Sequence, residues 1–150
     1  ITALDYSKIG INQIKKQSRL FNKYKNIKTK CHDVRLKLPF ENRCFDACFS
    51  HMLYCMALTK KELLFLSKEI NRILKPGGLN IYTVRNFDDG DYKKGDFIGE
   101  NIFETDGFII HFFSKKNIEY LSHGFKTLKI KKFEEGNFPR KLFIVIQKKI

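Results

Sequence analysis

Between residues 45 and 84 the hydrophobic and polar positions change period twice. Residues 45–49, Phe-Asp-Ala-Cys-Phe, form a short, nearly continuous apolar run, the pattern of a strand covered on both faces in a parallel sheet. From residue 60 to residue 74, Leu63, Leu66, Ile70, Ile73 and Leu74 fall on one helical face, with Glu62, Lys68, Glu69 and Arg72 elsewhere. Thr59 precedes this helix as an N-cap, and Lys75 puts positive charge near its C-terminal end. Pro76 then fixes φ for a turn and Gly77 takes a positive φ, so that residues 79–84 are delivered as the next strand. The result is a βαβ unit, and its two strands are parallel because a helix connects them.

Similar patterning flanks this unit. Residues 1–4 read as a strand ending at Asp5, and Ser7 caps a helix over residues 8–24. Residues 27–31 are a short strand followed by His32-Asp33-Val34-Arg35 and Leu38-Pro39-Phe40. After Val84 the pattern is lost: residues 85–113 are rich in Asp, Gly, Lys and aromatic residues and read as a long irregular connection, the kind that serves as a lid or substrate segment. Ser114 caps a short helix that stops near His123-Gly124. Two strands end the chain, residues 125–133 with Leu128 and Ile130 facing in, and residues 141–148. They are joined by residues 134–140, including Phe138, a connection short enough to make them antiparallel. The continuous apolar run 142–146 places the last strand more centrally than its partner.

With 150 residues and 43% hydrophobic content, the chain reads as one domain with a core of useful size. No apolar run approaches the ~20 residues of a membrane span and no signal peptide is visible, which points to a cytoplasmic protein without membrane association. Cys31, Cys44, Cys48 and Cys55 match no common zinc spacing and read as thiols of a reducing compartment, so no metal site is expected. The formal charge of +13 leaves a nucleic-acid partner open, but the lysines are dispersed and no RNA-binding module accompanies them.

The order of strand, crossover helix, Leu74-Lys75-Pro76-Gly77-Gly78 and strand resembles the second half of the class I S-adenosylmethionine-dependent methyltransferases, the Rossmann-like group called type 11. The resemblance implies an α/β three-layer sandwich whose mostly parallel sheet ends in an antiparallel strand pair. It also implies what is absent: the first strand and the Gly-rich turn beneath the methionine part of the cofactor would precede Ile1. The expectation is therefore an N-terminally truncated, partial methyltransferase domain over residues 1–150, with residues 85–113 as its variable substrate or lid region. In the family the missing strand lies between the second and fourth, so it is either supplied elsewhere or those two strands close up.

By the same resemblance, Asp5 occupies the position whose carboxylate accepts from both ribose hydroxyls, and Tyr6 would lie beside the adenine. Read alone, Asp5 could equally start a helix and Tyr6 simply pack. The dipeptide Asp33-Val34 matches the family's adenine contacts, a carboxylate accepting from the exocyclic amine and a backbone N–H donating to a ring nitrogen. Ser50, at the end of the fourth family strand, completes the implied cofactor-binding set. His51 and His111 are the residues placed to act as a general base where the acceptor is protonated, though either could be a satisfied packing histidine. Arg85, Asn86, Tyr92 and Glu100 are candidates for acceptor contacts. The implied chemistry is in-line displacement of the sulfonium methyl, in which alignment and exclusion of water supply most of the acceleration. No Asn-Pro-Pro-Tyr-type motif stands at residues 50–53, which favours a small-molecule acceptor. A non-catalytic methyltransferase-like partner subunit and a basic nucleic-acid-binding domain are the alternatives. The acceptor, the pathway and the oligomeric state are not encoded legibly.

Overall fold

Helix α2 (Lys60–Ile73) forms where the 3.6-residue period predicts it. Thr59 caps it: its hydroxyl accepts from the Glu62 N–H while the Glu62 carboxylate accepts from the Thr59 N–H, so two otherwise orphaned donors are satisfied. The computed structural model describes residues 1–137 and 139–150; Phe138, in the connection between the last two strands, lies outside the described residues. The chain forms two compact units, Ile1–Pro39 and Phe40–Ile150.

In the first unit, β1 (Thr2–Asp5) and β2 (Lys28–Cys31) form a two-stranded parallel sheet in the register Thr2↔Lys28 to Asp5↔Cys31. Helix α1 (Lys8–Leu20) connects them. Ser7 caps it as expected, its hydroxyl accepting from the Gly10 N–H at 3.2 Å. The helix ends four residues before the predicted position. Asn22 turns left-handed at φ 54°, and the Lys23 N–H bonds back to the Ser18 carbonyl at 2.7 Å, which closes the last turn.

In the second unit, β3 (Phe45–His51) lies parallel to β4 (Leu74–Arg85), and the sheet continues antiparallel through β9 (Arg140–Lys149) to β8 (Phe125–Glu135). The last strand is thus the more central of the final pair, as its continuous apolar run predicts. The loop at Pro76, Gly77 and Gly78 bulges out of the β3–β4 ladder, with Gly77 at φ 75°. Cys48 and Ser50 share a sheet face with Asn80 and Tyr82, both buried, and Tyr54 stacks on Tyr82 with ring centroids 4.4 Å apart. Leu63, Leu66, Ile70 and Ile73 of α2, with Ile118 of α3 (Lys115–Tyr120), complete this core. Ser114 caps α3, as predicted.

Four details differ from the sequence expectation. Strand β3 is not covered on both faces: Ala47, Phe49 and His51 are exposed, because they alternate with Cys48 and Ser50 and so point away from the core that holds those two. Parallel ladders are confined to β1–β2 and β3–β4 among the described residues, with one isolated parallel bridge, Asn86↔Phe113, and the other ladders are antiparallel. Strands β1 and β3, the second and fourth of the family, each have a single ladder partner within their own unit, β2 and β4 respectively. Leu128 sits at a bulge between Thr127 and Lys129 and is turned out to solvent rather than inward.

Residues 85–113 are also more regular than expected. They contain a three-stranded antiparallel meander, β5 (Asp96–Gly99), β6 (Ile102–Thr105) and β7 (Phe108–His111). Two-residue loops join its strands, Glu100-Asn101 at φ 54° and 66° and Asp106-Gly107 at φ 52° and 81°, the left-handed pairs that match the twist of a hairpin.

Candidate functional site

The parallel register of β1 and β2 brings their carboxyl ends to one edge of the first unit, and a bond from the His32 N–H to the Asp5 carbonyl at 2.9 Å carries the pairing one step further. Asp5, Tyr6, Asp33 and Val34 are therefore gathered at that edge. The Asp5 carboxylate accepts from the Ser7 N–H through Oδ1 at 2.8 Å. Its Oδ2 lies over Gly10, where a Cβ would stand only 2.7 Å away. Glycine at this position leaves that oxygen room without a protein donor. Tyr6 is 71% exposed, and its carbonyl accepts from the Cys31 thiol at 3.3 Å. An open groove runs from Asp5 and Gly10 along α1 past Gln13 and Gln17 to Phe21.

Asp33 and Val34 differ in what they have left to offer. Hydrogen bonds from the Arg35 guanidinium, at 2.6 and 3.0 Å, and from the Arg35 N–H, at 2.9 Å, pull the Asp33 carboxyl down to about 2. An incoming amine must share or displace this arginine. The N–H of Val34 has no acceptor among the described residues.

In the second unit, Ser50 and His51 end β3. The Ser50 hydroxyl is buried on the core face and has no partner among the described residues. His51 lies between two groups: Nδ1 is 2.9 Å from the Thr83 hydroxyl and Nε2 is 3.3 Å from Glu135 Oε2. The Thr83 hydroxyl also accepts from the Met52 N–H at 3.0 Å, holding Met52 in its left-handed conformation. Both imidazole nitrogens are thus engaged within the protein.

The residues expected to meet an acceptor are used internally. Arg85 is buried, and its guanidinium binds Asp89 with two nitrogens and Asp91 at 2.6 Å, over the ring of Phe112 at 5.3 Å. Asp89 also accepts from the Lys141 N–H at 2.8 Å and the Asp91 N–H at 3.0 Å. Burial alone would raise the Asp89 carboxyl, but these donors outweigh it and hold the group below its ordinary range. Asn86 accepts from the Asp88 N–H at 2.8 Å, and its buried side-chain nitrogen has no partner among the described residues. Tyr92 stacks on Phe87 at 4.3 Å and meets Phe103 and Phe112 edge-on. Glu100 accepts from the Lys60 N–H at 2.7 Å and so helps cap α2. His111 is fully buried; Nδ1–H donates to the Leu58 carbonyl at 3.0 Å, Nε2 has no partner among the described residues, and burial lowers its pKa, so the ring is neutral.

Several residues that matter were not read from the sequence. Gly10 had a signal, the spacing Asp5-x-Ser7-x-x-Gly10, in which a strand-end carboxylate is followed by a cap and a residue without Cβ. Arg35, Thr83, Asp89 and Glu135 had none, since each acts through a partner fixed by folding. Burial pushes the Cys48 thiol up to about 11 and the Cys55 thiol up to about 12, so both are inert at neutral pH. Among the described residues no cluster of three or more His, Cys, Asp or Glu side chains could hold a metal ion, and no helix is long and apolar enough to cross a membrane.

The sequence pattern of a methyltransferase domain family matches residues 1–78. No curated protein matches the sequence. Among solved structures, the fold is similar to that of a SAM-dependent methyltransferase from Methanosarcina mazei, with a TM-score of 0.84 and 22% identity, over 99% of this chain and 81% of that one. It is also similar to the N-methyltransferase NodS of Bradyrhizobium japonicum in complex with S-adenosyl-L-homocysteine (TM-score 0.72, 10% identity, 99% of this chain and 65% of that one). A third is the Burkholderia thailandensis 1,6-didemethyltoxoflavin-N1-methyltransferase with bound 1,6-didemethyltoxoflavin and S-adenosylhomocysteine (TM-score 0.74, 10% identity, 99% and 60%). At these identities the likeness is one of fold, and the chain spans about two thirds or less of the last two proteins.

Proposed function

Because this chain belongs to the methyltransferase domain family, we propose that it serves S-adenosylmethionine-dependent methyl transfer to a small-molecule acceptor, and that the first unit holds the nucleoside of the cofactor. The observation that carries this reading is the pairing of Asp5 with Gly10: a strand-end carboxylate with one oxygen fixed by the Ser7 N–H and the other left open by a missing Cβ. Two oxygens held in this way match the vicinal hydroxyls of a ribose.

When bound, the cofactor supplies an electrophilic methyl group on a sulfonium. The chain's own residues bind and orient it. Asp5 accepts from the ribose hydroxyls, the Val34 N–H donates to an adenine ring nitrogen, and Tyr6 covers the base. Asp33 accepts from the adenine amine once Arg35 yields one of its contacts. Ser50 is a weaker candidate for a cofactor contact, since its hydroxyl faces the core.

On the acceptor side, Arg85, Asn86, Glu100 and His111 shape and hold the segment 85–113 rather than touch the acceptor, since their polar groups are buried or engaged, whereas Tyr92 packs by its ring and keeps its hydroxyl for an acceptor contact. His51 meets an acceptor only if one of its ring contacts, to Thr83 or to Glu135, is exchanged for it. The acceptor of the Burkholderia protein is a small heterocycle bound in its structure, which agrees with the small-molecule reading.

Calorimetric titration of S-adenosylhomocysteine into this chain and into Asp5→Ala tests the proposal. The expected result is binding that the substitution weakens by at least about tenfold, the loss of one charge-assisted contact. Equal affinities would remove Asp5 from the site, and no heat in either protein would remove cofactor binding from this chain.

A further inference from the structure

Charge is segregated along this chain. Residues 1–39 carry ten Lys and Arg against two Asp, whereas residues 86–113 carry seven Asp and Glu against two Lys. Of the two acidic side chains of the first unit, Asp33 pairs with Arg35 and Asp5 accepts from the Ser7 N–H and makes no ion pair among the described residues. Lys8, Lys15, Lys16, Arg19, Lys23 and Lys25 are exposed and form no ion pair among the described residues.

Their placement is ordered. Lys8, Lys15 and Arg19 are separated by seven and four residues, which puts them within roughly 20° of one line on α1, over about 16 Å of its length. Asn12 lies beside that line, and with Lys15, Lys16 and Arg19 it lines a shallow open groove. Phe21 and Lys23 line the opposite groove with Gln13 and Gln17, whereas Tyr24, 50% exposed, and Lys25 follow the end of the helix in the short turn 24–26.

We infer that this face of the first unit binds single-stranded nucleic acid. Unpaired cations in a row release counterions when they meet a phosphate backbone. Tyr24, exposed just beyond the helix, offers a stacking surface for an unpaired base. A lipid surface fits less well, because an interfacial helix needs a continuous apolar face, and the exposed apolar residues Ile9 and Leu20 are separated by Gln13 and Lys16. The inference is independent of the methyl-transfer reading and leaves the acceptor's identity untouched.

The test is fluorescence anisotropy with a labelled oligouridine strand and, in parallel, sedimentation with vesicles of mixed phosphatidylcholine and phosphatidylserine. The wild-type chain is compared with K15E/K16E/R19E and with K115E/K116E/K126E, a reversal of equal charge in the second unit; circular dichroism verifies that each is folded. With four or five phosphates engaged at about 0.7 counterion each, affinity for the RNA is expected to fall roughly fifty- to hundredfold between about 50 and about 200 mM salt. The first variant should lose at least about tenfold in affinity and the second less than about threefold. Equal losses in both variants would reduce the effect to net charge and overturn the assignment of a face. Salt-insensitive or absent RNA binding, or a preference for vesicles, would overturn the proposal itself.

Discussion

The carboxyl ends of β1 and β2 and the segment after β4 are both rich in polar side chains, yet the fold treats them in opposite ways. At Asp5 and Val34 it leaves hydrogen-bonding capacity open: one carboxylate oxygen faces the space above Gly10, and one backbone N–H has no acceptor among the described residues. From Arg85 to His111 it uses most of that capacity internally, and what is left, the Asn86 side-chain nitrogen and His111 Nε2, is buried. Arg85 is bound to Asp89 and Asp91, Glu100 caps α2, and His111 ties β7 to Leu58. The difference teaches that residue type nominates a functional group, and the remaining valence decides whether it can meet a ligand.

The contrast is broken most sharply at Asp89. Removing its carboxylate by Asp89→Ala strands a buried guanidinium, and urea unfolding is expected to show a loss of about 3–5 kcal/mol, against less than about 1 kcal/mol for Asp5→Ala. Because the folded state holds the Asp89 carboxyl below its ordinary range, the stabilisation is complete above the unfolded value of about 3.9 and is lost as pH falls through the lower folded value.

His111 gives a second window. Its pKa is depressed by burial, so the unfolded chain binds the proton more readily; stability is full above about pH 6.5 and declines as pH falls below it. His111→Phe is expected to flatten that decline between about pH 7 and about pH 5, while costing about 1–3 kcal/mol by leaving the Leu58 carbonyl without its donor. An unchanged pH profile would show that His111 is not the titrating group.

Gly10→Ala probes the other region. Alanine favours the helix, so thermal stability should hold within about 1 kcal/mol, but its Cβ must displace Asp5 Oδ2, and affinity for S-adenosylhomocysteine should drop several-fold. The smallest effect is expected from Arg35→Ala. The Arg35–Asp33 pair is exposed, worth about 0–1 kcal/mol, and freeing Asp33 should tighten adenine binding a few-fold at most.

Much of this fold was legible in the sequence because local rules and tertiary structure agree there. The apolar stripe of α2, the Thr59–Glu62 capping pair and the Pro76-Gly77 turn each specify the same βαβ unit. The meander was missed although Asp106-Gly107, flanked by apolar residues, is a strong hairpin signal; the density of Asp, Lys and Gly around it concealed the alternation. The exposure of Phe49 could not be read, since a strand's own residues do not say which neighbours it will have. The place of Asp5 at the carboxyl end of β1 was legible in the sequence. The engagement of Arg85 and His111 was not, because Asp89 and Leu58 become their partners only through folding.

The central claim is that cofactor recognition uses the open valence of the first unit and not the polar network after β4. Backbone amide ¹⁵N–¹H shifts recorded while S-adenosylhomocysteine is added test it directly. The account expects the Val34 amide, with Tyr6 and Gly10 beside Asp5, to move first and furthest, and the Asp89 and Asp91 amides to stay in place. Large shifts at Asp89 and Asp91 with Val34 unmoved would contradict it.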